Sequence, residues 1–244
     1  MTPASLFDRH RYLGFLISLV VLLFTQPLAG ETQDVVRGLT TREVFVGVVM
    51  TVILVWGMLA SCTRKRHRVI GFSLAVLTMV AAWALPQFRE AADHAWTYST
   101  FGLLLRSAPA LFYFYTAVLT LNFVLRNQRV TQERIAAALC VYLLVGFGFS
   151  LVYQFIYEIQ HVQEATAFAL PESLGGEDPQ WGDFIFFSFV TMTTLGYGDM
   201  VPTNEWARSL AMLQTIFAVF YLAVLIARLV ASYTGVEGSR SAES

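Results

Sequence analysis

Charged side chains are scarce in this chain. They make up only 14% of the 244 residues, whereas 56% are hydrophobic and the mean hydropathy is +0.59. Soluble domains usually carry about 25% charged residues. The shortage of charge therefore excludes an ordinary soluble domain and indicates a protein of the lipid bilayer. We predict no nucleic-acid partner.

Cysteine and histidine are also rare, and neither forms a recognisable site. The two cysteines, Cys62 and Cys140, lie far apart at or within apolar segments, so we interpret both as packing residues. The four histidines are scattered without the spacing of metal ligands. The sequence also lacks a nucleotide-binding loop and a paired acid and base, so we predict neither a cofactor nor an enzyme.

Six apolar runs approach the roughly 20 residues that a helix needs to cross the hydrocarbon core. They are Tyr12–Leu28, Val44–Cys62, Val69–Leu85, Pro109–Leu125, Ile135–Tyr157 and Ser209–Tyr233. A seventh run, Phe184–Thr194, is too short to span and fits a re-entrant helix, whose irregular continuation must be buried in protein or line a water path. We predict an all-α membrane protein with six transmembrane helices and a re-entrant helix between the fifth and sixth.

Basic residues are concentrated in every second connection between these runs. Arginine or lysine stands at positions 9 and 11, at 64, 65, 66 and 68, and at 126, 129 and 134. The positive-inside rule places these connections in the cytoplasm, so both termini lie inside and the segment between the fifth and sixth runs lies outside. We predict a multi-pass protein of the inner or plasma membrane. The first run also has the basic start and apolar middle of a signal peptide, and its cleavage would leave five spans.

The predicted outer segment has a strong charge asymmetry. From Glu158 to Ala207 it contains eight acidic residues and no lysine or arginine. Several of these carboxylates are expected simply to be solvated. Repeated around a pore, they would concentrate cations at its mouth, and such a field does not distinguish one monovalent cation from another.

The stretch Thr191–Asp199, which reads TMTTLGYGD, follows the short apolar run directly. It resembles the selectivity filter of the potassium channel family, in which backbone carbonyls and a threonine hydroxyl replace the water shell of the ion. The resemblance implies a filter formed by Thr194, Leu195, Gly196, Tyr197 and Gly198. It further implies K⁺ bound at the first four of these and support at the outer mouth from Thr193, Asp199 and Val201. Glycine suits the left-handed backbone that such a segment needs.

The resemblance extends over the last part of the chain. Trp181–Pro202 is similar to the pore loop, Tyr221–Val230 to the inner helix, and Ile135–Tyr157 is the outer helix. It implies three regions: four helices in 1–130, a pore domain in 131–234 and a short cytoplasmic tail in 235–244. Because the chain has one pore loop and a filter needs four, the resemblance implies a homotetramer or coassembly with related chains.

Several positions depart from the family pattern. Phe186 and Phe187 stand where many members have indole donors, and Val190 stands where some have a glutamate, so Asp199 would lack its usual partners. Val201 stands where an aromatic ring can bind a quaternary ammonium, so we expect weak external block by tetraethylammonium. The last span contains neither glycine nor proline, so an obvious hinge is missing.

The fourth run, Pro109–Leu125, contains no arginine, because Arg106 precedes it and Arg126 follows it. A helix without charge gains almost nothing from the membrane potential, so we predict no steep voltage dependence. For Arg228 we expect an interaction with the cytoplasmic interface or a lipid phosphate, and a role in gating is the alternative. Three functions stay open: a potassium-selective channel, a weakly selective cation channel, and a non-conducting membrane subunit or sensor.

Overall fold

The computed structural model of the chain describes residues 3–24, 35–36, 39–40, 49, 52–53, 55–57, 65–91, 100–126, 131–162, 166–169, 179 and 181–241. Six helices have both ends described: α1 (Pro3–Leu23), α2 (Lys65–Ala91), α3 (Thr100–Leu125), α4 (Gln132–Val162), α5 (Trp181–Met192) and α6 (Glu205–Ser241); positions 49, 52–53 and 55–57 are also helical. Four short strands accompany them: β1 (Val35–Val36), β2 (Leu39–Thr40), β3 (Phe168–Ala169) and β4 (Val201–Pro202). The prediction of a mostly helical chain is confirmed.

Three of these helices are long and apolar enough to cross a membrane. They are the segments Leu105–Leu125 of α3, Gln132–Gln160 of α4 and Glu205–Ala231 of α6. The apolar parts of α1, α2 and α5, which are Arg11–Leu23, Val69–Val80 and Trp181–Met192, are shorter. Most of the predicted second span, Val44–Cys62, lies outside the described residues. The described part of the chain thus supports three spans, and the total of six stays a prediction.

Helix α4 is the centre of the molecule, with α1 and α3 packed on it as well as α5 and α6. Of its most apolar stretch 67% is buried, against 11% for α6. Gly146 approaches the ring of Phe189 in α5, and Gly148 approaches the ring of Phe114 in α3. Two residues are about 200° apart around a helix, so these glycines open nearly opposite faces of α4 to close neighbours.

Helices α3 and α4 form an antiparallel pair that is tied together near one end by an ion pair between Arg106 and Glu158. The prediction that the fourth span starts at Pro109 was wrong in its boundary, because α3 begins at Thr100 and contains both Pro109 and Arg106. The ion pair offers the physical reason. A paired arginine can lie within a membrane-spanning segment, where an unpaired charge is costly.

The N-terminal helix α1 is attached to α4 by polar as well as apolar contacts. The backbone amide of Tyr12 donates to Glu133 Oε2 at 3.0 Å. The Tyr12 ring stacks on Phe123 of α3, with centroids 4.6 Å apart, and the Arg11 guanidinium lies 5.3 Å from the Phe123 centroid. The N-terminal region and the outer helix therefore share one core within the described residues.

The far end of α6 also reaches the N-terminal region. Arg228 Nη2 donates to the carbonyl of Leu125, the last residue of α3, at 3.3 Å. A cation at this position interacts favourably with the negative end of the helix dipole. Beyond Arg228, α6 continues to Ser241, so most of the predicted tail 235–244 is an extension of the helix.

Two small antiparallel ladders were not predicted from the sequence. One pairs β1 with β2, and the other pairs β3 with β4 in the register Phe168 with Pro202 and Ala169 with Val201. The second ladder joins the segment that follows α4 to the segment that precedes α6. Two-residue strands have no period that a hydrophobic pattern could reveal.

Candidate ion-conduction site

Helix α5 ends in a Schellman motif centred on Thr194. The Leu195 amide donates to the Val190 carbonyl at 2.9 Å, and the Thr194 amide donates to the Thr191 carbonyl at 3.1 Å. These are the two hydrogen bonds of that motif, whose left-handed residue is usually glycine. Here it is Thr194, with a φ of 60°. The chain therefore leaves the helix at the first residue of the predicted filter.

Positive φ recurs at every second residue from Thr194 to Gly198. Gly196 has a φ of 60° and Gly198 a φ of 84°. Leu195 and Tyr197, which lie between them, do not have a positive φ, so the sign of φ alternates along the segment. At a β-branched residue such as Thr194 a positive φ costs about 1–3 kcal/mol, and residues under such strain cluster at functional sites.

The segment Thr193–Asp199 is exposed in the single chain, whereas Met192 before it and Met200 after it are buried. A Cβ built on Gly196 or Gly198 would meet no atom within 4 Å. Glycine is therefore favoured at these two positions by backbone conformation and not by crowding among the described residues.

The aromatic side chains of α5 support the exposed segment by stacking. Phe186 lies parallel to Tyr197, with an interplanar angle of 3° and ring centroids 5.9 Å apart. Phe187 points elsewhere, and its ring meets Tyr153 edge-on at 4.9 Å and Phe168 at 5.4 Å. Of the two phenylalanines at the expected indole positions, only Phe186 contacts the predicted filter.

The three residues predicted to support the filter, Thr193, Asp199 and Val201, differ in their contacts. The Thr193 hydroxyl donates to the Phe189 carbonyl within its own helix at 2.7 Å. Asp199 is exposed, and its carboxylate makes no hydrogen bond or ion pair within the described part of the chain. Val201 lies in β4 opposite Ala169 and is 43% exposed.

A buried polar network joins α4, α5 and α6 behind the exposed segment. The Tyr153 hydroxyl donates to Gln214 Oε1 at 2.8 Å, and Gln214 Nε2 donates to Ser188 Oγ at 2.8 Å. Gln214 Nε2 also lies 3.2 Å from the Ser188 carbonyl oxygen, and Ser188 Oγ donates to the Gly146 carbonyl at 2.7 Å. Tyr153, Ser188 and Gln214 are all fully buried. Every donor therefore has an acceptor, as buried polar groups require.

Sequence reasoning missed this network, although one signal was visible. Gln214 is an uncharged polar residue within the apolar run Ser209–Tyr233. Polar groups in a membrane helix are expensive unless they are paired with another helix, which points to an interior partner. The identity of that partner depends on the packing of three helices and could not be read from the sequence.

The last carbonyl groups of α5 accept hydrogen bonds from its neighbours as well as from the Schellman turn. The Tyr142 hydroxyl of α4 donates to the Met192 carbonyl at 3.4 Å. Thr215 Oγ1 of α6 lies 3.4 Å from the Thr191 carbonyl oxygen and 2.9 Å from that of Ala211. The end of α5 thus lies between α4 and α6. Side chains of these two helices donate hydrogen bonds to carbonyl groups that have no partner within α5.

The acidic residues of the predicted outer segment do not all act as free charges. The Glu158 carboxylate is paired with Arg106, and it also accepts a hydrogen bond from Gln154 Nε2 at 3.2 Å. Glu158 therefore contributes little to a negative field at a pore mouth. Positions 163–165 and 170–178, which hold four of the eight acidic residues, lie outside the described residues.

The described residues contain no group of three or more histidine, cysteine or acidic side chains that could hold a metal ion. Cys140 is buried, and its thiol lies 3.6 Å from the Tyr12 carbonyl oxygen, which fits the predicted packing role. Cys62 lies outside the described residues.

Residues 138–234 match a family model described as "Ion channel", and the match includes α5, the exposed segment and most of α4 and α6. The chain is thus a membrane protein with an ion channel domain. The match covers less than half of the chain and supports a potassium channel pore-domain family for residues 138–234, so the recognition made from Thr194–Gly198 is confirmed. No curated protein matches the chain significantly.

Proposed function

We propose that four copies of this chain form a potassium-selective channel, with Thr194–Gly198 as the selectivity filter. K⁺ would be held by oxygen atoms at Thr194, Leu195, Gly196 and Tyr197, because carbonyl groups can replace the hydration shell of a cation. K⁺ is the ion that the channel would transport, and the lipid bilayer is the environment of its transmembrane helices.

The alternating backbone of the exposed segment is the observation that carries this proposal. Positive φ at Thr194, Gly196 and Gly198 is compatible with several carbonyl oxygens facing one side of the segment, the arrangement that a filter needs. The segment also starts at the C-terminus of α5, where the helix dipole provides a partial negative charge that favours a cation. Both features suit a site that binds a dehydrated monovalent cation.

The need for further copies follows from the surface of α6. This helix leaves a large apolar surface uncovered, and its exposed side chains include Trp206, Phe220, Met212, Ile226 and Val230. The filter segment is exposed beside it. One segment can supply ligands from one side only, so copies of the same chain are the partners that would complete the site and cover α6. A homotetramer provides the four sides that a filter requires.

The proposed topology has six transmembrane helices with both termini in the cytoplasm. Helix α5, with 12 residues, is about 18 Å long and cannot cross a hydrocarbon core of about 30 Å, so we propose that it is re-entrant. The alternation of basic connections favours the inner or plasma membrane, with the filter opening outwards.

Flux of potassium and of sodium into liposomes that contain the purified protein tests the proposal. We expect barium-sensitive potassium flux that exceeds sodium flux, and we expect Gly196→Ala to abolish it. The alanine side chain meets no atom within 4 Å in the single chain, but it disfavours the positive φ by about 1–2 kcal/mol. Val118→Ala, an exposed position on α3, is the control and should leave the flux unchanged.

A second candidate, a weakly selective cation channel, is favoured by the Asp199 carboxylate, which has no partner among the described residues. Reversal potentials in opposed potassium and sodium gradients distinguish the two candidates. Equal permeability that is lost in Gly196→Ala would indicate the weakly selective channel. Absence of any flux from a correctly assembled protein would leave the non-conducting subunit.

A further inference from the structure

We propose that Gln214 is a positioning residue for the filter, and that its hydrogen bonds to Ser188 make the selectivity of the channel depend on the position of α6. This inference rests on the proposed function. It concerns residues outside the exposed segment that carries the resemblance.

The hydrogen bonds of the network form a chain in which every donor and acceptor is determined. Tyr153 donates to Gln214, Gln214 donates to Ser188, and Ser188 donates to the Gly146 carbonyl. The orientation of the Gln214 amide is thereby fixed, because its oxygen accepts the hydrogen bond of the Tyr153 hydroxyl and its nitrogen donates to Ser188. A glutamine fixed at both ends of its amide holds α6 against α4 and α5 in one register.

The connection from Ser188 to the filter is short and regular. Ser188 lies in the same helix as Val190 and Thr191, whose carbonyls accept the two hydrogen bonds of the Schellman motif. A rotation or shift of α5 at Ser188 would therefore be carried to Thr194. Thr194 is strained in its left-handed conformation, so it needs support from its surroundings to stay there.

The far end of the segment is followed by buried Met200 and by β4, which pairs with β3, whereas the middle of the segment is held differently. Tyr197 is 63% exposed and is held by parallel stacking on Phe186, which tolerates sliding more readily than a directional hydrogen bond does. Hydrogen bonds at buried sites have defined geometry and impose it on their neighbours. The position of the first residues of the segment, from Thr194 onwards, is thus set from the α5 side.

Gln214→Leu tests the inference, because leucine fills a similar volume without hydrogen-bonding atoms. We expect the variant to conduct with a potassium-to-sodium permeability ratio lowered by about fivefold, the factor that corresponds to the net contribution of one hydrogen bond. Tyr153→Phe, which removes only a hydroxyl, should lower the ratio less. Val118→Ala, at an exposed position of α3, is the control and should leave the ratio unchanged.

The triple variant Tyr153→Phe, Ser188→Ala, Gln214→Leu separates positioning from folding. It leaves no donor of the network unpaired, so its thermal stability should exceed that of Gln214→Leu alone. Its permeability ratio should nevertheless stay low, and the Gln214 and Ser188 effects should be non-additive in a double-mutant cycle. A wild-type ratio in the triple variant would overturn the inference. The proposed function would fail separately, through the absence of potassium selectivity in the wild-type protein.

Discussion

Gly146 and Gly148 permit close approach to two different neighbours of α4, and they make a matched pair. A Cβ at Gly146 would lie 2.6 Å from the ring of Phe189, whereas a Cβ at Gly148 would lie 3.0 Å from the ring of Phe114. Gly146→Ala should therefore destabilise the protein by about 1–3 kcal/mol, the usual cost of overpacking, and Gly148→Ala by less.

Thermal unfolding of the purified protein in detergent measures this difference. Phe189→Leu should partly restore the stability of Gly146→Ala, because it removes the ring edge that the new methyl group meets. Equal loss of stability in the two glycine variants would contradict the packing described for α4.

Val201 sets the expected sensitivity to external tetraethylammonium. Its side chain is exposed and aliphatic, so it offers no aromatic face to a quaternary ammonium ion. Val201→Tyr should strengthen block by about 0.5–2 kcal/mol, which is about 2–30-fold in the blocking concentration. Val201→Leu changes the size without adding a ring and should have no such effect. The measurement is current inhibition in planar bilayers, and strong block of the unmodified channel would refute this assignment of Val201.

At the scale of elements, the charge of α3 determines how strongly this helix can respond to the membrane potential. In the segment Leu105–Leu125 the only charged side chain is Arg106, which is paired with Glu158 of α4. Moving one unit charge through the field is worth about 2.3 kcal/mol per 100 mV, but a neutral pair that moves together transfers no net charge. We expect open probability to change less than about threefold between −100 and +100 mV. Single-channel recording measures it, and a steep sigmoid response would show that another element carries gating charge.

The helices were predictable to the extent that an apolar run marks them. The outer and inner helices were located correctly from Ile135–Tyr157 and Ser209–Tyr233, and their ends extend further because the polar residues there still form helical backbone. The start of α3 was missed because the partner of Arg106 lies in another helix. The role of Gln214 was missed for the same reason, since a hydrogen bond between two helices does not change the hydrophobic periodicity of either sequence.

The filter motif was recognised from residue types alone, and the conformation of its glycines followed from their lack of a side chain. The left-handed Thr194 was not expected. Its conformation results from the Schellman motif that ends α5, in which the position after the helix cap is fixed by two hydrogen bonds to preceding carbonyls. A threonine gives no sequence signal for that position.

At the scale of the whole molecule, the uncovered surface of α6 predicts how the assembly is held together. Phe220 in α6 is 67% exposed and Phe72 in α2 is 59% exposed, so the two phenylalanines form a matched pair. We expect Phe220→Ala to weaken tetramer assembly by on the order of 1–3 kcal/mol per subunit, because contacts between packed helices hold membrane assemblies together. Phe72→Ala should have no effect, since lipid covers that surface equally well.

Light scattering in detergent gives the mass of the assembly, and increasing amounts of a harsh detergent give its resistance to dissociation. The expected mass is that of four chains of 27.3 kDa. A stable monomer, or equal sensitivity of the two phenylalanine variants, would show that α6 is not the contact between subunits.

The network of Tyr153, Ser188 and Gln214 lies wholly within one chain, whereas the proposed ion path requires four. A subunit with a defective filter, such as Gly196→Ala, should therefore still fold, insert and join its neighbours. In a cell that makes both forms in equal amounts, each of the four subunits is intact with a probability of about one half. Random mixing would therefore leave about one tetramer in sixteen free of defective subunits. Such an allele would be genetically dominant, whereas a variant that prevents folding of the subunit would be recessive.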